Sequence, residues 1–158
     1  LFYGNDRKIF GNKWVFRKLI EDIKSLQSDG ISITVDNKTI KIYFEFTLVL
    51  GDNLGLNGVL GFVESFSAHY PCRICKIKNE DLKTSVVEDK SLRRTIKNYE
   101  KDLEENDISK TGLKDKCIFN IKKHFHVCEN VSVDIMHDVL EGSGNYAITA
   151  IVYRLIFI

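Results

Sequence analysis

Three groups of residues in this chain have types and spacings that could carry chemistry. The first is Asp52, which follows Gly51 and the apolar segment Thr-Leu-Val-Leu at 47–50. An acid just beyond the end of a buried strand lies where open α/β sheets bind their ligands. Because Gly, Asp and Asn also favour turns, the alternative for Asp52 is a plain surface turn.

The second group is a cysteine pair, Cys72 and Cys75, whose spacing lets two thiolates hold one zinc ion. Redox pairs share this spacing, but nothing in the sequence indicates secretion or disulfides, and a reduced pair of this kind is more often a metal half-site. No second Cys-x-x-Cys follows, which excludes a four-cysteine ribbon. Histidines or isolated cysteines would then complete the ligand set. The candidates are His124, His126, Cys128 and His137. For Cys117 and Cys128 we favour the alternative of small buried hydrophobes.

The third group contains Asp134, His137, Asp138 and Glu141. On a helix these positions are i, i+3, i+4 and i+7, so three carboxylates and an imidazole share one face. The acids would repel each other unless cations or hydrogen-bond donors lie among them. A metal site is one solution, and a solvent-facing helix is the alternative.

Length and composition restrict the setting of these groups. The chain has 158 residues, of which 44% are hydrophobic and 28% charged, and this predicts one packed globular domain. A net charge of +1 provides no overall field for nucleic acid or an anionic membrane. The charged first ten residues predict no signal peptide, and the apolar run 146–158 is shorter than a membrane span, so we expect an intracellular chain. Because it starts at Leu1 and its sole methionine is Met136, we interpret it as a fragment or a processed product.

Local patterns predict the elements that would position these residues. Apolar residues recur at helical spacing after Asn12 and stop at Gly30, which predicts one amphipathic helix. An alternating pattern then predicts a hairpin, with a turn at 36–37 and a long second strand that reaches Leu50. The end of that strand would be buried on both faces in a central sheet. Residues 76–123 are charge-rich and predict an inserted helical segment.

Three segments together resemble one known family, the transposases of CACTA (En/Spm) DNA transposons, and in particular the animal type. The segments are Gly51–Ala68 with the sequence GDNLGLNGVLGFVESFSA, Cys72-Arg73-Ile74-Cys75, and Asp134-Ile135-Met136-His137. The likeness covers most of the chain, and the motifs occur in the order that the family has. Such proteins are similar to other members of the DDE transposase class.

The fold that this resemblance implies is α/β, a fragment of a ribonuclease H-like fold interrupted by a charge-rich, zinc-stabilised helical insertion. Residues 1–66 would form a partial core with a helix, a hairpin and a strand ending at Asp52. Residues 67–130 would form the insertion with the cysteine pair, and residues 131–158 the return to a truncated core helix. The core would be incomplete at both ends, so we expect the first and last segments to expose apolar surface.

The resemblance also implies the chemistry of DNA strand cleavage and transfer. Asp52 would be the second catalytic carboxylate, and Glu141 is the candidate in this chain for the third. In the full-length protein, two Mg²⁺ ions held by the acids would activate the nucleophile and stabilise the leaving oxygen. The first catalytic carboxylate would precede this chain, so we expect the chain alone to be inactive.

A structural zinc site is implied by the same likeness. Cys72 and Cys75 resemble a zinc half-site that follows the second acid in the related V(D)J recombinase. His126 or His137 would complete that site. Asp134 and His137 match the Asp-x-x-His signature of these transposases.

The resemblance implies that the partner of the full-length protein is DNA, both as transposon ends and as target. The full-length protein would be nuclear and homo-oligomeric, with no membrane association. Phosphate contacts would fall on the basic positions Arg73, Lys76, Lys78, Arg93, Arg94 and Lys97. The alternative for these positions is a solvated helix face, offset by neighbouring acids. A second class of function is a non-enzymatic, zinc-stabilised module, domesticated or decayed, that binds DNA or protein.

Overall fold

The computed structural model describes residues 4–121, 125–130 and 132–157 of the chain. Helices and a two-stranded sheet are both present in this part, so the α/β class is confirmed in its coarse sense. The sheet found in the described residues is a single antiparallel hairpin. A ribonuclease H-like arrangement needs a larger sheet and stays a prediction.

Two helices, α1 (Gly4–Val15) and α2 (Arg17–Ser28), cover the region where one helix was expected. Helical structure begins before Asn12, since residues 4–10 are helical as well. α1 kinks at Gly11, where φ is 75°, a left-handed conformation that glycine adopts without a steric penalty. α2 turns an apolar face towards the core and a charged face towards solvent.

The predicted hairpin is confirmed, with β1 (Ile31–Val35) antiparallel to β2 (Lys38–Ile42). Asp36 and Asn37 both have positive φ, at 49° and 59°, which is the backbone that a two-residue hairpin turn requires. The register places the branched aliphatic residues of both strands on one face. That face is open to solvent, because every residue of both strands is exposed.

The prediction of a long second strand that ends before Asp52 is wrong. β2 stops at Ile42, and residues 43–50 belong to no strand in the described structure. A strand needs a hydrogen-bonded neighbour, and an apolar sequence pattern does not supply one. The segment is held instead by single hydrogen bonds. The Phe44 amide donates to the Leu26 carbonyl at 3.3 Å, and the side chains of Asn130 and Ser132 donate to the carbonyls of Thr47 at 2.9 Å and Val49 at 2.6 Å.

Short helices and turns occupy the middle of the chain. They are α3 (Asn53–Leu60), α4 (Asn79–Leu82), a 3-10 turn (Lys90–Leu92), α5 (Ile96–Glu105) and α6 (Ile108–Thr111). Thr95 starts α5 with a capping box, in which its side chain and that of Asn98 satisfy each other's backbone amides. The charge-rich sequence therefore forms several short helices rather than one solvated helical segment.

The core lies between α3, α5 and the described residues of 113–121 and 125–128. Its buried side chains there are Leu56, Leu60, Phe62, Tyr99, Leu113, Cys117, Phe119, Phe125, Val127 and Cys128. Both single cysteines are thus buried hydrophobes, the alternative that we favoured. Gly61 closes α3 against this segment, and a Cβ there would lie 2.2 Å from the Asp115 carbonyl oxygen. Core residues therefore come from both sides of the predicted boundary at residue 66.

The C-terminal part consists of a π-helical segment (Met136–Ser143) followed by α7 (Gly144–Phe157). Among the described elements, α7 packs chiefly against the π-helical segment, and most of its large apolar side chains face solvent. Ile9, Phe10 and Trp14 in α1 are exposed as well. The expected apolar exposure of the first and last segments is therefore confirmed.

The total surface agrees with this open arrangement. The chain exposes 11840 Å², whereas a compact monomer of this length exposes about 8,100 Å². The large apolar residues of α7 and the hairpin are among those that are exposed. No helix in the described residues is both long enough and apolar enough to span a bilayer.

Candidate functional site

Asp52 lies at the start of a helix rather than at the end of a strand. It is the N-cap of α3, and its Oδ1 accepts a hydrogen bond from the Gly55 amide at 2.8 Å. Its carboxylate is exposed. Neither the strand end nor the plain turn is therefore present at Asp52, which caps a helix and presents an acid to the solvent beside Asn53.

Arg73, the residue between the two cysteines, is buried and reaches two distant parts of the chain. Its Nη1 donates to Asn53 Oδ1 at 2.7 Å, and its Nη2 donates to the Ser132 carbonyl at 2.8 Å. Burial lowers the pKa of Arg73, and the nearby Cys72, Asp138 and Asp134 oppose that shift. Arg73 therefore fastens the start of α3 to the chain that leads into the π-helical segment.

Asn53 continues this network towards the acids. Its Nδ2 donates to Asp138 Oδ1 at 2.6 Å, and its backbone amide donates to the Asp134 carboxylate. The Asp134 amide in turn donates to Asp138 Oδ2 at 3.2 Å. We call the residues Asp52, Asn53, Arg73, Asp134, His137 and Asp138 the polar cluster.

His137 is held by Asp134 within the polar cluster. The distance from His137 Nδ1 to Asp134 Oδ2 is 2.5 Å, and His137 Nε2 lies 4.0 Å from Glu141 Oε2. The hydrogen bond to Asp134 raises the pKa of His137, and the charges of Glu141 and Asp52 add to the shift. The imidazole therefore holds its proton more tightly than a free histidine does. Its positive charge, when protonated, offsets the negative charges of the surrounding carboxylates.

The structure thus brings together residues from all three sequence motifs. Sequence reasoning singled out Asp52, Asp134 and His137 but missed Asn53 and Ser132. The position of Asn53 directly after Asp52 was the available signal. Nothing in the sequence indicates that the Ser132 carbonyl would receive the guanidinium of Arg73.

The cysteine pair adopts a tight turn. Cys72 Sγ accepts hydrogen bonds from the amides of Ile74 at 3.3 Å and Cys75 at 3.4 Å. Burial raises the pKa of the Cys75 thiol, and the neighbouring Cys72 adds to the shift. Two sulfurs on one turn are half of a zinc site.

The predicted zinc ligands His126 and His137 do not join this pair. His126 packs edge-on against the Tyr99 ring, and its Nδ1 accepts from the Cys128 amide at 3.2 Å. His137 is engaged by Asp134. His124 lies outside the described residues, and within them no three His, Cys, Asp or Glu side chains are close enough to hold a metal ion.

The same finding applies to the predicted catalytic acids. Asp52 and Glu141 are both exposed, and they do not converge with a third carboxylate within bonding range of one cation in the described structure. The residues described here therefore do not fit a Mg²⁺ site by themselves.

The predicted phosphate contacts are wrong for Arg73 and Arg94, because both side chains are buried. Arg94 is 1% exposed and donates to Asp102, to the Thr111 carbonyl and to the Cys72 carbonyl. Lys76 is also engaged, since its Nζ lies 2.6 Å from Asp102 Oδ1. Of the six predicted positions, Lys78, Arg93 and Lys97 are the exposed ones.

We expect the substitution Asp134→Asn to lower the pKa of His137 towards its usual 6.5, because it removes the charged hydrogen-bond acceptor. In the wild type, the stabilisation from this pair is fully present below pH 6.5 and is lost as the pH rises through the raised pKa. An NMR titration of the His137 ring measures the midpoint directly. Glu141→Gln is the control and should shift it less; an unchanged midpoint in Asp134→Asn would contradict the pairing.

Comparisons with protein-family models, with curated proteins and with solved structures found no match to this chain.

Proposed function

We propose that this chain is part of the catalytic core of a DDE transposase, a nuclear protein that cleaves and transfers DNA strands with Mg²⁺ in its full-length, homo-oligomeric form. The observation that carries the proposal is the polar cluster. Motifs that resemble one family in content and order also converge in space, through the hydrogen bonds from Arg73 to Asn53 and from Asn53 to Asp138. A ribonuclease H-like core with a zinc-stabilised insertion is part of the same proposal.

Within this proposal, His137 would serve at a phosphodiester of the full-length protein's DNA in one of two ways. Asp134 orients His137 through Nδ1, which leaves Nε2 on the side of Glu141. A histidine with a raised pKa can donate a proton or hold a phosphate oxygen. Since the described residues do not fit a Mg²⁺ site, we derive no step through the metal, and we expect the chain by itself to be inactive.

The proposal is tested by the substitution Asp52→Asn in the full-length protein. Asparagine caps a helix as well as aspartate does, so α3 should be preserved while the charge is lost. We expect Mg²⁺-dependent nicking of DNA carrying the transposon ends to fall at least 100-fold. Asp36→Asn is the matched control, because Asp36 lies in the exposed hairpin turn with a positive φ that asparagine tolerates. Wild-type nicking by the Asp52→Asn protein, or none by the wild type, would overturn the proposal.

A non-enzymatic, zinc-stabilised module is the second candidate, and the turn formed by Cys72 and Cys75 favours it. In this case the protein should contain one zinc that is lost in Cys72→Ser and retained in Cys117→Ser, since Cys117 is buried in the core. Zinc bound in this way, together with a full-length protein that does not cleave DNA, would support the module over the enzyme.

A further inference from the structure

A cleft of about 680 Å³ lies between the α1–α2 pair and the segment 115–120, and neither proposed function uses it. Its floor is apolar and contains Ile20, Cys117 and Ile118. Burial raises the pKa of Cys117 to about 11, so the sulfur there is uncharged near neutral pH. The floor is therefore suited to apolar side chains.

The rim of the cleft is predominantly basic. Lys13, Arg17 and Lys24 line one wall and Lys116 the other, against two acids, Glu21 and Asp115. The Arg17–Glu21 distance is 4.0 Å with both side chains largely exposed, so it is a weak pair. Lys13, Lys24 and Lys116 form no ion pair with a carboxylate of the described chain that would neutralise them.

The basic wall is aligned by helical geometry. Lys13, Arg17 and Lys24 are at i, i+4 and i+11, and backbone hydrogen bonds continue through the junction of α1 and α2, from Phe16 to Asn12 at 3.0 Å and from Ile20 to Phe16 at 2.9 Å. The three cations therefore follow one face over about 16 Å, the length of three helical turns.

We propose that this cleft binds an acidic amphipathic helix of a partner protein. Leucine-like side chains on one face of the ligand would pack on the floor, and Asp or Glu residues on both sides of that face would meet the rim. This is helix-in-groove recognition, in which apolar anchors supply affinity and charges fix orientation. A nucleic acid backbone matches the cations but makes no use of the apolar floor.

A designed peptide tests the proposal. The probe is a fluorescein-labelled helical peptide of 14 residues with leucines on one face and glutamates flanking it; a scrambled peptide of the same composition is its control. Fluorescence anisotropy with the whole chain should give micromolar affinity for the probe and at least tenfold weaker binding of the scrambled peptide. Equal binding of the two peptides would overturn the proposal.

Charge-reversal variants locate the binding. We expect the double substitution Lys13→Glu and Lys24→Glu to weaken the affinity for the probe at least tenfold. The control, Lys38→Glu with Lys41→Glu in the hairpin, should change that affinity less than twofold. Circular dichroism of both variants checks that they fold. An equal loss of affinity in the two double variants would overturn the site. A duplex DNA that binds in the cleft more tightly than the probe would overturn it as well, because that outcome assigns the cleft to nucleic acid. These results are independent of the nicking assay.

Discussion

Replacing Arg94 by methionine should destabilise the chain by about 3–5 kcal/mol, the cost of removing one partner of a buried ion pair. Arg94 Nη1 lies 3.3 Å from Asp102 Oδ2, and the two side chains are 0% and 4% exposed. Without the guanidinium, Asp102 keeps Lys76, but the carbonyls of Thr111 and Cys72 lose their donor. A loss of this size is a large part of the stability of an ordinary domain.

Urea denaturation of the folded chain measures this loss. Arg93→Met is a matched control: it makes the same change at the adjacent position, where the side chain is exposed, and should cost less than about 0.5 kcal/mol. The double variant Arg94→Met with Asp102→Leu should recover part of the loss, because the Asp102 carboxylate, which Lys76 alone would otherwise compensate, is then no longer buried. Similar losses in Arg93→Met and Arg94→Met would contradict the burial of Arg94.

Replacing Arg73 by methionine should cost about 3 kcal/mol, since hydrogen bonds from a charged donor contribute roughly 1.5–3 kcal/mol each. Arg73 is 8% exposed and makes two such bonds, to Asn53 Oδ1 and to the Ser132 carbonyl. Losing them should also release Asn53 from its fixed orientation towards Asp138. The polar cluster would then lose the link between α3 and the π-helical segment.

Two measurements separate these effects. Urea denaturation gives the stability, and hydrogen exchange of the Asn53 side-chain amide reports the order of the polar cluster. Arg73→Lys should be intermediate, because one ammonium cannot replace a planar fork that reaches two acceptors. Lys78→Met, at an exposed position nearby, should leave both readouts unchanged. Unchanged exchange at Asn53 in Arg73→Met would show that Arg73 does not position it.

Much of the local structure could be predicted from the sequence. The hairpin and its turn follow from alternation and from Asp36 and Asn37, which tolerate positive φ. The close approach of Cys72 and Cys75 follows from their spacing. These features depend on neighbours in the chain, so residue types and spacing were sufficient to determine them.

Tertiary contacts alone decided the rest. Residues 43–50 have the pattern of a strand, yet they lie outside the sheet because no neighbouring strand pairs with them in the described structure. Arg93 and Arg94 are identical in type and adjacent, yet only the second is buried, because Asp102 and the Thr111 carbonyl lie on its side. His137 likewise pairs with Asp134 and not with the cysteines. Burial and side-chain pairing depend on contacts between residues that are distant in sequence. The order and spacing of residue types along the chain do not give the spatial distances between such residues.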